Sequence, residues 1–356
     1  MLAKLARSIP PAATGDEPAF LFEPKWDGFR CIVFRDGPRI ELMSRKLRPL
    51  GRYFPELLQP LAAALPDRCV VDGEIVVADP ARGGLDFDAL LQRIHPAETR
   101  VRRLAEETPA SYVAFDLLAL DDTSLLERPM RDRRAALVAA VDPGDVVHLT
   151  PASTDRDVAV EWFEQFEGAG LDGVIAKPID GIYAPGKRAL LKVKHQRTAD
   201  CAVAGYRIHK DGKGVGSLLL GLFDAGGEMH SVGVAASFSV KRRAELLAEL
   251  EPRTHDALAG HPWRGWAEWQ DQQRDADAPT SPSAGSRWNA GKDLSFVPIR
   301  MGLVAEVSFG QLENRRFRHG VSFLRWRPDR SPESCRYDQL DVADPVSFLD
   351  VVTRQM

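Results

Sequence analysis

A lysine held between an acid and a tight turn constrains this chain more than any other stretch. Glu23-Pro24-Lys25-Trp26-Asp27-Gly28-Phe29-Arg30 lies between two short apolar runs, Phe20-Leu21-Phe22 and Cys31-Ile32-Val33-Phe34. Both runs have the length and the aromatic and β-branched content of buried strands. Asp27-Gly28 is turn chemistry, because glycine accepts a positive φ at no steric cost. With Asp36-Gly37-Pro38 as the next turn, residues 20–44 predict a meander around Lys25. Lys25 then stands at a strand end, held by its flanks. A free lysine titrates at about 10.4, so a nucleophilic amine needs burial or nearby cations, and Arg30 offers one. Alone, Lys-x-Asp-Gly also fits an ordinary hairpin with a surface lysine.

The length, 356 residues, predicts two domains, and a hydrophobic fraction of 44% is enough to build their cores. No apolar run reaches the roughly 18 residues of a membrane span, and residues 1–11 are too short and polar for a secretory leader. Cys31, Cys69, Cys201 and Cys335 are far apart, with no C-x-x-C pair. That excludes a zinc knuckle or disulfide frame and predicts a reduced, cytoplasmic compartment. A net charge of −4 argues against a protein coated in positive charge. Local patches are what contact phosphates, and Lys241-Arg242-Arg243, Arg315-Arg316-Phe317-Arg318 and Arg325-Trp326-Arg327 qualify. Singly, each also fits a solvated charged face.

Up to Lys194, helices alternate with short strands. Helices are predicted over 55–65, 86–94 with Asp86 as cap, 131–141 and 155–169. Strands are predicted over 70–78, 112–120, 146–150, 174–177 and 190–194. The texture then changes to strands at 199–208, 217–223, 229–234, 303–309 and 321–327, with one helix over 240–250 capped by Ser239. Residues 252–292 read as a long polar loop, in which Trp263, Trp266 and Trp269 fall at helical spacing. The whole predicts an α+β chain: a mixed domain over 1–197, then a Greek-key barrel of the oligonucleotide-binding kind over 198–356.

Five further stretches carry chemistry. Arg45 follows the second strand and offers a fork of donors for a phosphate or a ribose. Asp72-Gly73-Glu74 interrupts an apolar strand, where acids need a partner, a metal or a hydroxyl. Phe115 sits in the apolar run Tyr112-Val113-Ala114-Phe115-Asp116. Leu171-Asp172-Gly173-Val174-Ile175-Ala176-Lys177 puts an acid and a lysine at opposite ends of one strand. Lys192 and Lys194 share one face at period two. Gly181-Ile182-Tyr183-Ala184-Pro185-Gly186-Lys187-Arg188 matches P-loop spacing, but Arg188 stands where Ser or Thr should bind magnesium and Pro185 opposes a helix, so that reading is rejected.

Lys25-x-Asp27-Gly28-x-Arg30, Ser44-Arg45, Asp72-Gly73-Glu74, Phe115-Asp116, Asp172–Lys177, Lys192-x-Lys194 and Arg327-x-Asp329-Arg330 stand in the order of the covalent nucleotidyltransferase motifs. The chain resembles ATP-dependent DNA ligases, in particular the bacterial ligase-C type and the ligase domain of ligase D. It departs from that pattern at Asp172, where glutamate is usual, and at Arg330, where lysine is usual. The resemblance implies an adenylation (nucleotidyltransferase, ATP-grasp-like) domain followed by an OB-fold domain. It implies ATP as cofactor, with Mg2+ or Mn2+. Lys25 would be the catalytic nucleophile that takes AMP. Glu23 would read the adenine and Phe115 stack on it, with Val174 among the nucleotide-binding residues. Arg30, Arg45 and Glu74 would surround the ribose, and Lys192 and Lys194 the α-phosphate. Glu74 and Asp172 would serve the metal. Arg327 and Arg330 would orient the leaving pyrophosphate once the second domain closes. The partner would be nicked double-stranded DNA, with a gap-filling repair polymerase as a further partner class and a monomeric state expected.

Two rivals keep the same motifs. An RNA ligase or a capping-type guanylyltransferase shares Lys-x-Asp-Gly and differs in substrate. A catalytically silent DNA-end-binding module would keep the fold and lose the chemistry.

Overall fold

The chain enters and leaves Lys25 on two different sheets, so the expected meander is not formed. The computed structural model describes residues 1–14, 17–79, 83–195, 197–268, 295–310, 312–313, 315–317, 320–340 and 346–353. The chain divides into one unit of Met1–His195 with Val342–Met356 and another of Gln196–Asp341. In the first unit, β1 (Leu2–Leu5) and β2 (Phe20–Pro24) belong to a four-stranded sheet. β3 (Phe29–Asp36) and β4 (Arg39–Ser44) belong to a six-stranded one. β5 (Arg68–Val77), β6 (Ala110–Leu120) and β7 (Val147–Leu149) complete the main path of that larger sheet, in the order β7-β6-β5-β3-β4. β8 (Gly173–Pro178) and β9 (Arg188–Lys194) complete the smaller sheet, in the order β1-β9-β8-β2.

β5 runs without the interruption expected at Asp72-Gly73-Glu74. Gly73 makes this possible: a Cβ there would collide with the ring of Tyr112 and the Val113 carbonyl. The Asp86 side chain caps the helix Phe87–Gln92 by accepting from Ala89 N at 2.8 Å. The helix Arg156–Gln165 runs on as a tighter turn to Ala169 and ends at Gly170, whose φ of 79° is left-handed.

The C-terminal segment was expected in the barrel domain, but its described part packs on the first unit. Phe348 and Val351 of the helix Phe348–Thr353 are buried in the same core cluster as Trp26 and Val174. Phe348 meets Trp26 edge to face at 5.9 Å. Buried apolar area, not position in the chain, decides that assignment.

The second unit holds β10 (Arg197–Ile208), β11 (Val215–Phe223), β12 (Met229–Ala235), β13 (Val304–Phe309) and β14 (Ser322–Trp326). They pair antiparallel in the order β12-β11-β10-β13-β14. Val321, just before β14, bridges back to Ala235 at the end of β12, which curls the sheet toward closure as a barrel. Ser239 caps the helix Val240–Leu250, which buries Leu246 and Leu250. The loop expected over 252–292 is packed over its first part. His261, Trp263 and Ala267 are buried, and Trp263 Nε1 donates to Met229 O at 2.9 Å. Trp269 and the rest of that stretch to residue 292 lie outside the described residues, as does Arg318.

Candidate active site

Strand register builds one wall of a cleft in the first unit. Ile175 of β8 stands opposite Glu23 of β2 on one side and Lys192 of β9 on the other, so the three share a face. Period two adds Lys177, Leu190 and Lys194 to that face. Val174, expected among the nucleotide-binding residues, faces the other way. It is fully buried in the core, and Ile175 lines the cleft in its place. The motif located the strand, but a one-residue parity decides which side chain meets the cleft. The facing wall comes from the six-stranded sheet: Arg30 of β3, opposite Glu74 of β5, with Phe115 of β6 and with Arg45 just past β4. The cleft measures about 240 Å³.

Lys25 is fixed at both ends. Its backbone N–H donates to Gly173 O at 2.8 Å, and its carbonyl accepts from Asp172 N at 3.1 Å. Its Nζ pairs with Asp172 Oδ2 at 2.7 Å, and Lys194 meets the same oxygen. Burial pushes the Asp172 carboxyl up, but the ammoniums of Lys25 and Lys194 outweigh it and hold it below the usual range. Burial and the charges of Lys194 and Lys25 lower the Lys192 ammonium. Three lysines thus converge on one wall. The glycine of the Lys25 turn serves a different purpose from the one expected. Gly28 has no positive φ; a Cβ there would strike the Ile75 carbonyl.

At the other end of the cleft, Glu23 and Lys177, each only 3% exposed, form an ion pair at 2.8 Å through Oε2. Glu23 Oε1 is buried and accepts no hydrogen bond. Burial raises the Glu23 carboxyl and Lys177 opposes the rise. Lys177 Nζ also donates to Phe115 O at 2.8 Å and lies 4.9 Å from the Phe115 ring centre. Phe115 is half-buried, with its ring in the cleft wall. An aromatic face and an unfilled acceptor thus stand together.

Asp72 is fully buried, and it finds the partner that its place in an apolar strand requires. Arg30 Nε donates to its Oδ1 at 2.9 Å and Nη2 to its Oδ2. Asp116 is paired in the same way by Arg133, from the helix Met130–Ala140, at 2.8 Å. Burial pushes Glu74 from its ordinary 4.5 up to about 7, with Lys25 and Arg30 opposing. Between those values the folded protein keeps a proton that the unfolded chain releases, so stability falls as pH rises and levels off above about 7. Glu74→Gln removes that titration. Against the parent, its stability is expected to be about equal at pH 4 and higher by up to about 3 kcal/mol at pH 8, read by denaturant melts without nucleotide.

The second unit holds Arg327 and Arg330 on one acid that the sequence reading passed over. Asp200, 7% exposed, accepts from Arg327 Nη1 at 2.9 and 3.1 Å and from Arg330 Nη1 at 2.8 Å. Arg327 also grips Asp329, whose carboxyl it holds down to about 2. Arg330 donates to Ser334 Oγ and O as well, bonds that a fork makes and an ammonium does not duplicate. The expected phosphate-binding clusters are largely paired within their own unit. Arg242 meets Glu249 at 2.6 Å, Arg243 meets Asp211, and Arg325 meets Glu306 at 2.6 Å.

Against known families, the model for the ATP dependent DNA ligase domain matches residues 1–194. The chain belongs to the ATP-dependent DNA ligase family. The model for the ATP dependent DNA ligase C terminal region matches residues 211–330. DNA ligase C of Mycobacterium tuberculosis is 53% identical and covers 99% of this chain and 96% of its own. DNA ligase C2 of Mycolicibacterium smegmatis is 54% identical, covering 96% of this chain and 93% of its own. A solved structure described as "DNA binding with a minimal scaffold: Structure-function analysis of Lig E DNA ligases" is 19% identical with a TM-score of 0.51, over 87% of this chain and 93% of that one. That last likeness is one of fold: an adenylation domain followed by an OB-fold domain. The protein is an enzyme, a DNA ligase driven by ATP.

Proposed function

We propose that this ligase seals nicks in duplex DNA, in repair, through AMP carried on Lys25. The observation that carries the residue assignment is the cleft with Lys25, Lys192 and Lys194 at one end and Phe115 beside the unfilled Glu23 oxygen at the other. Glu23 Oε1 would accept from the exocyclic amine of adenine, and Phe115 would stack on the ring. Arg30, Arg45 and Glu74 border the sugar. Once the Lys25 ammonium has released a proton to solvent, its Nζ lone pair forms the bond to the α-phosphorus as the bond to the bridging oxygen breaks, and pyrophosphate leaves. Lys192 and Lys194 stabilise the α-phosphate as charge shifts. Arg327 and Arg330 serve this first step by holding the pyrophosphate.

Glu74 and Asp172 would hold a divalent metal through carboxylate oxygens, the hard donors that Mg2+ prefers and Mn2+ accepts, with Asp172 released from its lysine partners. Such a metal would supply neutralising charge for the leaving group. AMP then passes to a 5′-phosphate, and the adjacent 3′-hydroxyl displaces it. We place the enzyme in the cytoplasm as a monomer, with a gap-filling polymerase as a partner class.

The base reading has a direct test. Guanine presents an oxygen where adenine presents its amine, so a carboxylate acceptor repels it. Labelling with α-labelled ATP should exceed that with α-labelled GTP by about 100-fold or more. Nicked DNA should be sealed in preference to nicked RNA. Equal labelling by the two nucleotides would remove Glu23 from base recognition, and faster sealing of nicked RNA would make RNA the substrate.

A further inference from the structure

The rejected P-loop look-alike contains one residue that reaches the cleft. Tyr183 comes from the connection between β8 and β9, and its backbone N–H is anchored on Leu126 O at 2.8 Å. Its ring is buried, 5.7 Å from the Arg133 guanidinium and in a small cluster with Leu118 and Leu190. The hydroxyl donates to Asp72 Oδ2 at 2.7 Å and lies 3.4 Å from Arg30 Nη2 as acceptor. Arg30, Asp72 and Tyr183 therefore close a three-membered ring of hydrogen bonds at the edge of the cleft. Arg30 is only part-buried, and holding its long side chain in one rotamer costs conformational entropy. Asp72 fixes Nε and Nη2 of Arg30, the Met1 carbonyl accepts from Nη1, and the tyrosine hydroxyl shares Asp72 Oδ2 with Arg30 Nη2.

We propose that Tyr183 is a positioning residue for sugar recognition: with Asp72 and the Met1 carbonyl it fixes the Arg30 guanidinium so that its one remaining Nη1 N–H faces the ribose of ATP. The inference rests on the reading of Arg30 as a ribose contact. Tyr183 acts through Arg30, so its effect must appear in discrimination between sugars and must vanish when Arg30 is absent.

The experiment measures the rate of covalent labelling of the full chain by ATP, 2′-deoxy-ATP and 3′-deoxy-ATP, for the parent, Tyr183→Phe, Arg30→Ala and the double variant. Removing one hydroxyl leaves Asp72 bonded to Arg30, so Tyr183→Phe keeps its fold. The parent is expected to prefer ATP over at least one deoxy analogue. Tyr183→Phe should reduce that preference about tenfold by slowing ATP while leaving the deoxy analogue unchanged. Arg30→Ala should abolish the preference, and the double variant should match Arg30→Ala. If Arg30→Ala loses the preference and Tyr183→Phe keeps it, the proposal is overturned while the Arg30 reading stands. Additive losses in the double variant also overturn it, because Tyr183 would then act independently. A parent that shows no preference between the sugars, or an Arg30→Ala enzyme that keeps the parent's preference, overturns the Arg30 reading, and the proposal with it.

Discussion

Lys25→Ala is expected to lose covalent nucleotide labelling entirely, by a factor of at least about 10⁴, while its melting temperature stays within a few degrees of the parent. The loss is total because the bond to phosphorus forms at Nζ, and no other group is held in its place. Lys192 and Lys194 share the wall but serve charge. The fold survives because Lys25 is held through its backbone bonds to Gly173 and Asp172, which alanine keeps. Asp172 also retains Lys194 as a partner for its carboxylate. A denaturing gel after incubation with α-labelled ATP reads the first effect, and a thermal melt reads the second. Label on a folded Lys25→Ala protein would contradict the assignment.

The second large effect is on stability. Lys177→Met should lower the stability of the first unit by about 3–5 kcal/mol, because it leaves the Glu23 carboxylate buried without its counterion. For a unit of this size that corresponds to a fall of roughly 6–20 °C. The deficit should be greatest at alkaline pH. Burial already raises Glu23, and loss of the ammonium raises it further, so acidification neutralises the orphan acid and restores part of the loss. Calorimetry across pH 5 to 9 reads this. An unchanged melting temperature at pH 9 would mean that the pair contributes nothing. Labelling should fall as well, because Lys177 also anchors the Phe115 carbonyl.

Residues that act within one short stretch were the easiest to read from the sequence. Glu23, Lys25, Arg30, Glu74, Phe115 and Lys192 all line one cleft because each sits on or beside a strand whose apolar flanks mark it. Parity was harder: Val174 and Ile175 are both apolar, and only pairing with β2 and β9 decides which one faces inward. Long-range partners were illegible. Tyr183 meets Asp72 across 111 positions and Lys177 meets Glu23 across the sheet, and no local pattern encodes either contact. In the second unit, Arg327 meets Asp200 across 127 positions and Arg330 meets it across 130, pairings that no local pattern encodes. The C-terminal segment falls in the first unit for the same reason, since Phe348 and Val351 say that it docks but not where.

The central claim is that AMP travels through Lys25 to DNA. The direct measurement strips any bound AMP with pyrophosphate, labels the protein with α-labelled ATP and Mg2+, removes free nucleotide, and then adds nicked duplex DNA. The expected result is label on Lys25 that moves to the 5′ end at the nick and leaves as AMP when the strand is sealed. Protein that takes no label, or label that nicked DNA never discharges, would contradict it and favour a silent DNA-end-binding module of the same fold.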